Sequence, residues 1–111
     1  MLLDFTNMEE KVVPNMRGGE GSVALRSYQD DNNKILYGRM AKGSSIGVHT
    51  HVAESEMIYI LSGTGIMLYE DGQEILPTGS CHYCPNGGTH SLSNQEDEEL
   101  VFLAIVPKHG A

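Results

Sequence analysis

The sequence contains no tryptophan and only two phenylalanines, and its two cysteines are confined to one tetrapeptide, CHYC. It has no apolar run near the ~18 residues that a membrane span needs. The opening MLLDF is broken by Asp4 before the apolar core of a signal peptide could form. A cytoplasmic protein with no membrane partner is therefore expected. Basic residues are scarce as well: seven Lys and Arg against fifteen Asp and Glu leave a formal charge of -8. Such a surface repels phosphate backbones and anionic lipid, so no nucleic-acid partner is expected. Nor does any stretch repeat apolar residues at helical spacing, which removes helical architectures from consideration. At 111 residues the chain is one domain that buries roughly two thirds of its unfolded surface, with no room for a second core.

The cysteines, Cys81 and Cys84, could be read as a redox pair, but that chemistry needs CxxC at the start of a helix. Here they precede Pro85 in a stretch that reads as a strand. An odd separation along a strand places the two thiols on opposite faces, so a bridge would need a bulge. Two reduced packing cysteines are expected.

What the chain has in abundance is glycine, thirteen residues, and short alternating segments between turn signals. Residues 1–20 read as an irregular arm with a short strand at Lys11 to Val13, ending in PNMRGGEG, and residues 21–111 as a single β domain. Strands are expected at 21–28, 34–41, 48–52, 56–61, 65–69, 73–76, 80–84, 90–93 and 100–106. DDNN at Asp30 to Asn33 is a polar turn, and Asp71-Gly72 a two-residue hairpin. In the second strand either Leu36, Gly38 and Met40 or Ile35, Tyr37 and Arg39 can face inward; alternation does not choose between them. The run Glu96 to Glu99 reads as a solvated loop, since adjacent carboxylates cannot all face one ion. Short strands at this spacing point to an all-β sandwich or barrel.

Chemistry concentrates between Gly43 and Asn94. In the run HTH, His49 and His51 project from one face of a strand while Val48, Thr50 and Val52 point the other way. Glu56 follows five residues later, far enough for a return strand to bring its carboxylate opposite the imidazoles, and His90 can close the group from a later strand. Three imidazoles and one carboxylate suit a divalent transition metal. Glu54 competes with Glu56 for the carboxylate position but lies in the turn. For His82 and His109 a structural or surface role is the expectation. The glycine runs at 43–47 and 86–88 lead into no helix and are read as turns, not phosphate cradles.

The spacing around these residues is more specific than the residues themselves. Gly43, His49, His51, Glu56 and Gly63 form one block, with five, one, four and six residues intervening; Gly79, Pro85, Gly87, His90 and Asn94 form the second, with five, one, two and three. Both blocks match the signature motifs of the cupin superfamily, and the chain resembles a small single-domain cupin. Ser80 departs from the Asp often found after Gly79 in that family, at a position that is not a ligand.

The resemblance implies a double-stranded β-helix, or jelly-roll, barrel. It further implies one divalent ion per chain (Fe, Mn, Zn, Ni or Co) on His49, His51, Glu56 and His90, and a homodimer. The function it suggests is a metalloenzyme acting on a small polar metabolite such as a hydroxy or keto acid. Decarboxylation, isomerisation and dioxygen insertion all occur among cupins of similar site. The alternative is a binding module that holds a small ligand on the metal without turnover. An acid or base near the ion would separate the two, and Tyr37, Arg39, Tyr69, His82 and Tyr83 are the candidates; Arg39 or Arg26 could also pair with a substrate carboxylate.

Overall fold

Turn residues cut the chain into short strands: β1 Lys11–Pro14, β2 Ser22–Gln29, β3 Asn33–Met40, β4 His49–Thr50, β5 Glu56–Ser62, β6 Gly65–Tyr69, β7 Gly72–Leu76, β8 Cys81–Cys84, β9 Thr89–Ser93 and β10 Leu100–Pro107. In the computed structural model, which describes residues 1–110, they assemble into two antiparallel sheets. One has the order β1-β2-β3-β10-β5-β8 and the other β4-β9-β6-β7. The fold is all-β, as expected. No helix is long and apolar enough to cross a membrane.

The core lies between the sheets. Leu36, Met40, Ile58, Ile60, Phe102 and Ala104 of the larger sheet meet Met67, Leu76 and Leu92 of the smaller. This settles the face of β3: Leu36, Gly38 and Met40 turn inward. Gly38 is there because Phe102 fills its space, and a Cβ at Gly38 would stand 2.4 Å from the ring. The apolar run Leu100–Pro107 becomes the inner strand β10, paired to β3 on one side and β5 on the other. Its outward set, Val101, Leu103 and Ile105, is only half-covered.

Most expected strand ends move by a single residue, and two changes have consequences. The strand expected over 48–52 is reduced to His49–Thr50, and the chain beyond continues as loop, with the His51 N–H donating to the Gly88 carbonyl. The hairpin turn falls on Glu70-Asp71, one residue earlier than the Asp71-Gly72 signal, because Tyr69 pairs with Gly72. That register keeps Met67 and Leu76 inside, whereas a one-residue slip of β7 would turn Leu76 to solvent. Glu70 takes up the tight turn with φ +52°.

The amino-terminal residues also have defined places. Phe5 stacks on Tyr37 on the outside of the larger sheet, with ring centroids 5.4 Å apart, and β1 pairs with β2. The 3-10 turn Met16–Gly18 then crosses over the segment preceding β4, backbone against backbone. At the crossing, a Cβ on Gly47 would lie 2.1 Å from the Arg17 carbonyl oxygen. Only glycine permits that approach.

Candidate metal centre

His49 stands on β4 directly opposite His90 on β9. His51 lies two residues further on the same side, and Glu56 opens β5 in the facing sheet. The inner ends of the four side chains converge: Nε2 of His51 and Nε2 of His90 are each 2.9 Å from Glu56 Oε1 and 2.9 Å from one another. His49 Nε2 is 3.2 Å from His90 Nε2 and 4.0 Å from the carboxylate oxygen. All four candidate ligands are thus brought together, three of them buried and His49 nearly so. Glu54 is not in this group. It is half-buried, with Oε1 3.5 Å from His51 Nδ1.

The outward nitrogens explain the inward ones. His49 Nδ1 faces the Gly47 carbonyl at 2.8 Å. A carbonyl only accepts, so Nδ1 carries the proton and Nε2 presents a lone pair in the neutral ring. His51 Nδ1 faces the acceptor carboxylate of Glu54, with the same consequence. His90 Nδ1 lies 3.0 Å from Nε2 of His82, whose own Nδ1 is 2.7 Å from Glu74 Oε1. Lone pairs and a carboxylate aimed at one point repel unless something positive lies between them, and a buried cluster of that kind is costly without a cation. The donor set therefore fits a metal ion, and outer partners of this sort are what orient metal-ligating histidines elsewhere.

In the absence of an ion, protons serve. Burial alone would raise the Glu56 carboxyl, but hydrogen bonds from His51 and His90 outweigh it and bring its pKa down to about 2. Conversely, the hydrogen bond to Glu56 raises His51 above the usual imidazole value against the opposing effect of burial. Burial lowers both His49 and His82, favouring their neutral rings.

A family model for the Cupin domain matches residues 36–106, more than half of the chain. The chain is a cupin. It is 34% identical over 113 residues to a protein of Thermotoga maritima named oxalate-binding protein, covering 96% of this chain and 93% of that one. The crystal structure of a predicted oxalate decarboxylase from Thermotoga maritima superposes with a TM-score of 0.92 at 26% identity, over 97% of this chain and 99% of the other. KdgF from Halomonas sp. shares the fold, with a TM-score of 0.79 at 14% identity over 98% of this chain and 96% of its own.

In this cupin the four converging side chains line a cavity of about 230 Å³. Its walls are largely apolar, with Leu36, Ile58, Leu92 and Phe102 among them, and it also carries Arg17, Lys34, Glu54 and Lys108. The acid-base candidates proposed from sequence are elsewhere. Tyr37 is under Phe5; Arg39 is exposed and pairs with Glu10 and Glu99; Tyr83 is exposed on the outer face. Arg26 donates to the Phe5 carbonyl, so neither arginine is available to a substrate in the cavity. Tyr69 packs edge-on against His82, 5.1 Å between centroids.

His82, for which a structural or surface role was expected, is not at the surface: it is buried behind His90. His109 is exposed and contacts the Ser55 hydroxyl at 2.8 Å. Cys81 and Cys84 are free, one exposed and one buried, on opposite faces of β8. The three cavity cations were not singled out from sequence. For Lys34 only the parity is readable: it shares the alternation of Leu36, Gly38 and Met40 and faces inward once packing turns that set inward.

Proposed function

We propose that this cupin holds one divalent transition metal on His49, His51, Glu56 and His90 and uses it to bind a small dianionic carboxylate of about the size of oxalate. The observation that carries the reading is the pairing of the imidazole-carboxylate cluster with a cationic cavity. Of only seven Lys and Arg residues in an acidic chain, Arg17, Lys34 and Lys108 line this one space. None of the three forms an ion pair among the described residues. Lys34, half-buried beside the apolar walls, offers an anion the least screened of these charges, while Arg17 and Lys108 are exposed to solvent. When bound, the metal would supply Lewis acidity and coordination positions that a chelating carboxylate can occupy. The name of the Thermotoga relative, an oxalate-binding protein, supports the same ligand class.

The chain's own residues divide the remaining work. Leu36, Ile58 and Phe102 exclude water from the ligand, Lys34 balances the charge that chelation leaves unpaired, and Arg17 brings the amino-terminal crossing over the cavity. Tyr37, Arg39, Tyr69 and Tyr83 do not line the cavity, which favours binding over turnover. One observation favours turnover as the second reading: Glu54 is the other carboxylate of the cavity. Loss of carbon dioxide from a dicarboxylate leaves a carbon that must take up a proton, and Glu54, after taking up a proton itself, is the cavity carboxyl that can pass one on.

We also infer a homodimer through the outer face of the larger sheet. There Tyr59 and Tyr83 are 43% and 56% exposed, and they continue across the half-covered Met57, Leu103 and Ile105 on neighbouring strands. A second copy presenting the same apolar surface would cover it.

The ligand reading is tested by thermal melting of metal-loaded protein with added oxalate. At a hundredfold excess over the dissociation constant, a ligand bound only by the folded state contributes about 2.7 kcal/mol. The melting temperature should rise with oxalate, rise less in Lys34→Met, and stay flat in His51→Ala. No metal-dependent rise with oxalate or similar hydroxy and keto acids would remove the ligand from the reading. Formate or carbon dioxide released from oxalate, and lost in Glu54→Gln, would establish turnover instead.

A further inference from the structure

We propose that Glu74, acting through His82, is a positioning residue that fixes the ring of His90 as an Nε2 metal ligand. This rests on the metal-binding reading above and goes beyond it to residues outside the ligand set. The three side chains come from three strands and both sheets: Glu74 from β7, His82 from β8 and His90 from β9. Their atoms form one chain, Glu74 Oε1 to His82 Nδ1 at 2.7 Å and His82 Nε2 to His90 Nδ1 at 3.0 Å.

Each proton in that chain has only one consistent place. An ionised carboxylate can only accept, so the His82 Nδ1–H donates to Glu74. In the neutral ring, His82 Nε2 is then the acceptor, and the His90 Nδ1–H must donate to it. Once the proton that it shares with Glu56 in the metal-free fold is given up, His90 Nε2 is left with its lone pair, directed at Glu56 and the other two imidazoles. Tyr69, edge-on to His82, restrains that ring from rotating out of line. Without Glu74 the His82 ring could take either tautomer, and the one protonated at Nε2 would turn His90 the wrong way for an ion. His49 and His51 obtain the same orientation from the Gly47 carbonyl and Glu54; His90 alone depends on a relay.

The same region offers a competing occupant. His82, Cys84 and His90 also bring one ligand atom each within 4.8 Å of one another, so a second ion between them would take the place of the His82–His90 hydrogen bond. Burial opposes this by pushing the Cys84 thiol up to about 11.

Glu74 is well suited to a test, because its side chain is 45% exposed and its removal leaves the core intact. Imidazole nitrogen NMR of the full chain, with and without zinc, reads the tautomers directly, and zinc titration reads affinity and stoichiometry. The expected result is a proton on Nδ1 of His82 in both states and one zinc per chain. Zinc affinity should be about 10–100-fold weaker in Glu74→Ala. Glu74→Gln should recover most of the loss, since its amide oxygen accepts the same proton. The metal-free melting temperature should be nearly equal in all three proteins. Unchanged zinc affinity in Glu74→Ala, a proton on Nε2 of wild-type His82, or a second zinc lost in Cys84→Ala would overturn the proposal while leaving the four-ligand reading in place. A wild-type chain that took up no zinc, manganese, cobalt, nickel or iron would remove both, and the melting and stoichiometry data tell the two failures apart.

Discussion

His49 and His90 face one another across the β4–β9 pair, and their Nε2 atoms lie 3.2 Å apart. A cross-strand pair is the shortest-range way for a sheet to place two donors at one point, because directly opposite residues have neighbouring Cβ atoms. The third imidazole and the carboxylate then come from the loop after β4 and from the facing sheet. The site is thus divided between a pair within one sheet and two groups outside that pair, and loss of either part should empty it.

Replacing one ligand should therefore remove most of the bound metal without unfolding the chain. His51→Ala is expected to lower metal content well below one ion per chain by elemental analysis. Arg39→Ala, on the outside of the barrel and paired with Glu10 and Glu99, should leave it at the wild-type level. Equal losses in the two variants would show that the ligand assignment is wrong.

Metal affinity should depend on pH with a definite sign. His51 is raised by its hydrogen bond to Glu56, so its proton stabilises the metal-free fold below the ordinary value of 6.5, and that contribution is lost as pH rises through the raised value. A metal must displace the same proton. Affinity should climb about tenfold per pH unit for each proton displaced until His51 has titrated, then level off. The Glu56 carboxyl, at about 2 against an ordinary 4.5, contributes stability above 4.5 and loses it only as pH falls through about 2, so it takes no part in this window. The melting temperatures of metal-loaded and metal-free protein should accordingly diverge as pH rises. Affinity constant from about pH 5 to 8 would contradict a histidine site.

Gly47 joins stability to the site. A methyl group there would stand 2.1 Å from the Arg17 carbonyl, while its own carbonyl orients His49. Gly47→Ala should cost about 1–3 kcal/mol in urea denaturation, the range for overpacking a close contact. It should also weaken metal binding, because separating the crossing displaces the carbonyl. Gly43→Ala is the control for a glycine at φ +85° with no atom within 4 Å of the added carbon: it should lower stability through backbone strain and leave metal binding as it was.

Dimerisation should be sensitive to charge on the outer face of the larger sheet. Tyr59→Glu and Tyr83→Glu are expected to shift sedimentation from dimer toward monomer, with at least about a tenfold rise in dissociation constant, since each would bury an unpaired carboxylate. Leu68→Glu, on the other sheet and likewise exposed, should not. A monomeric wild-type chain at micromolar concentration would remove the dimer.

Strand alternation, turn chemistry and motif spacing were enough to assign the class of fold and to name the four converging residues. Alternation puts His49 and His51 on one face whatever surrounds them, and glycine and Asx turns cut the chain into strands too short for anything but a sandwich or barrel. These properties are local, set by backbone geometry over a few residues. Which face of a strand becomes the interior is not local, because alternation is equally satisfied either way until another sheet packs against it. That choice made Leu36 core and brought Lys34 into the cavity, and it left Tyr37 and Arg39 outside. The backing of His90 was equally invisible: Glu74 and His82 lie in opposite sheets, and only closure of one sheet over the other brings the carboxylate, the two imidazoles and their protons into a single line.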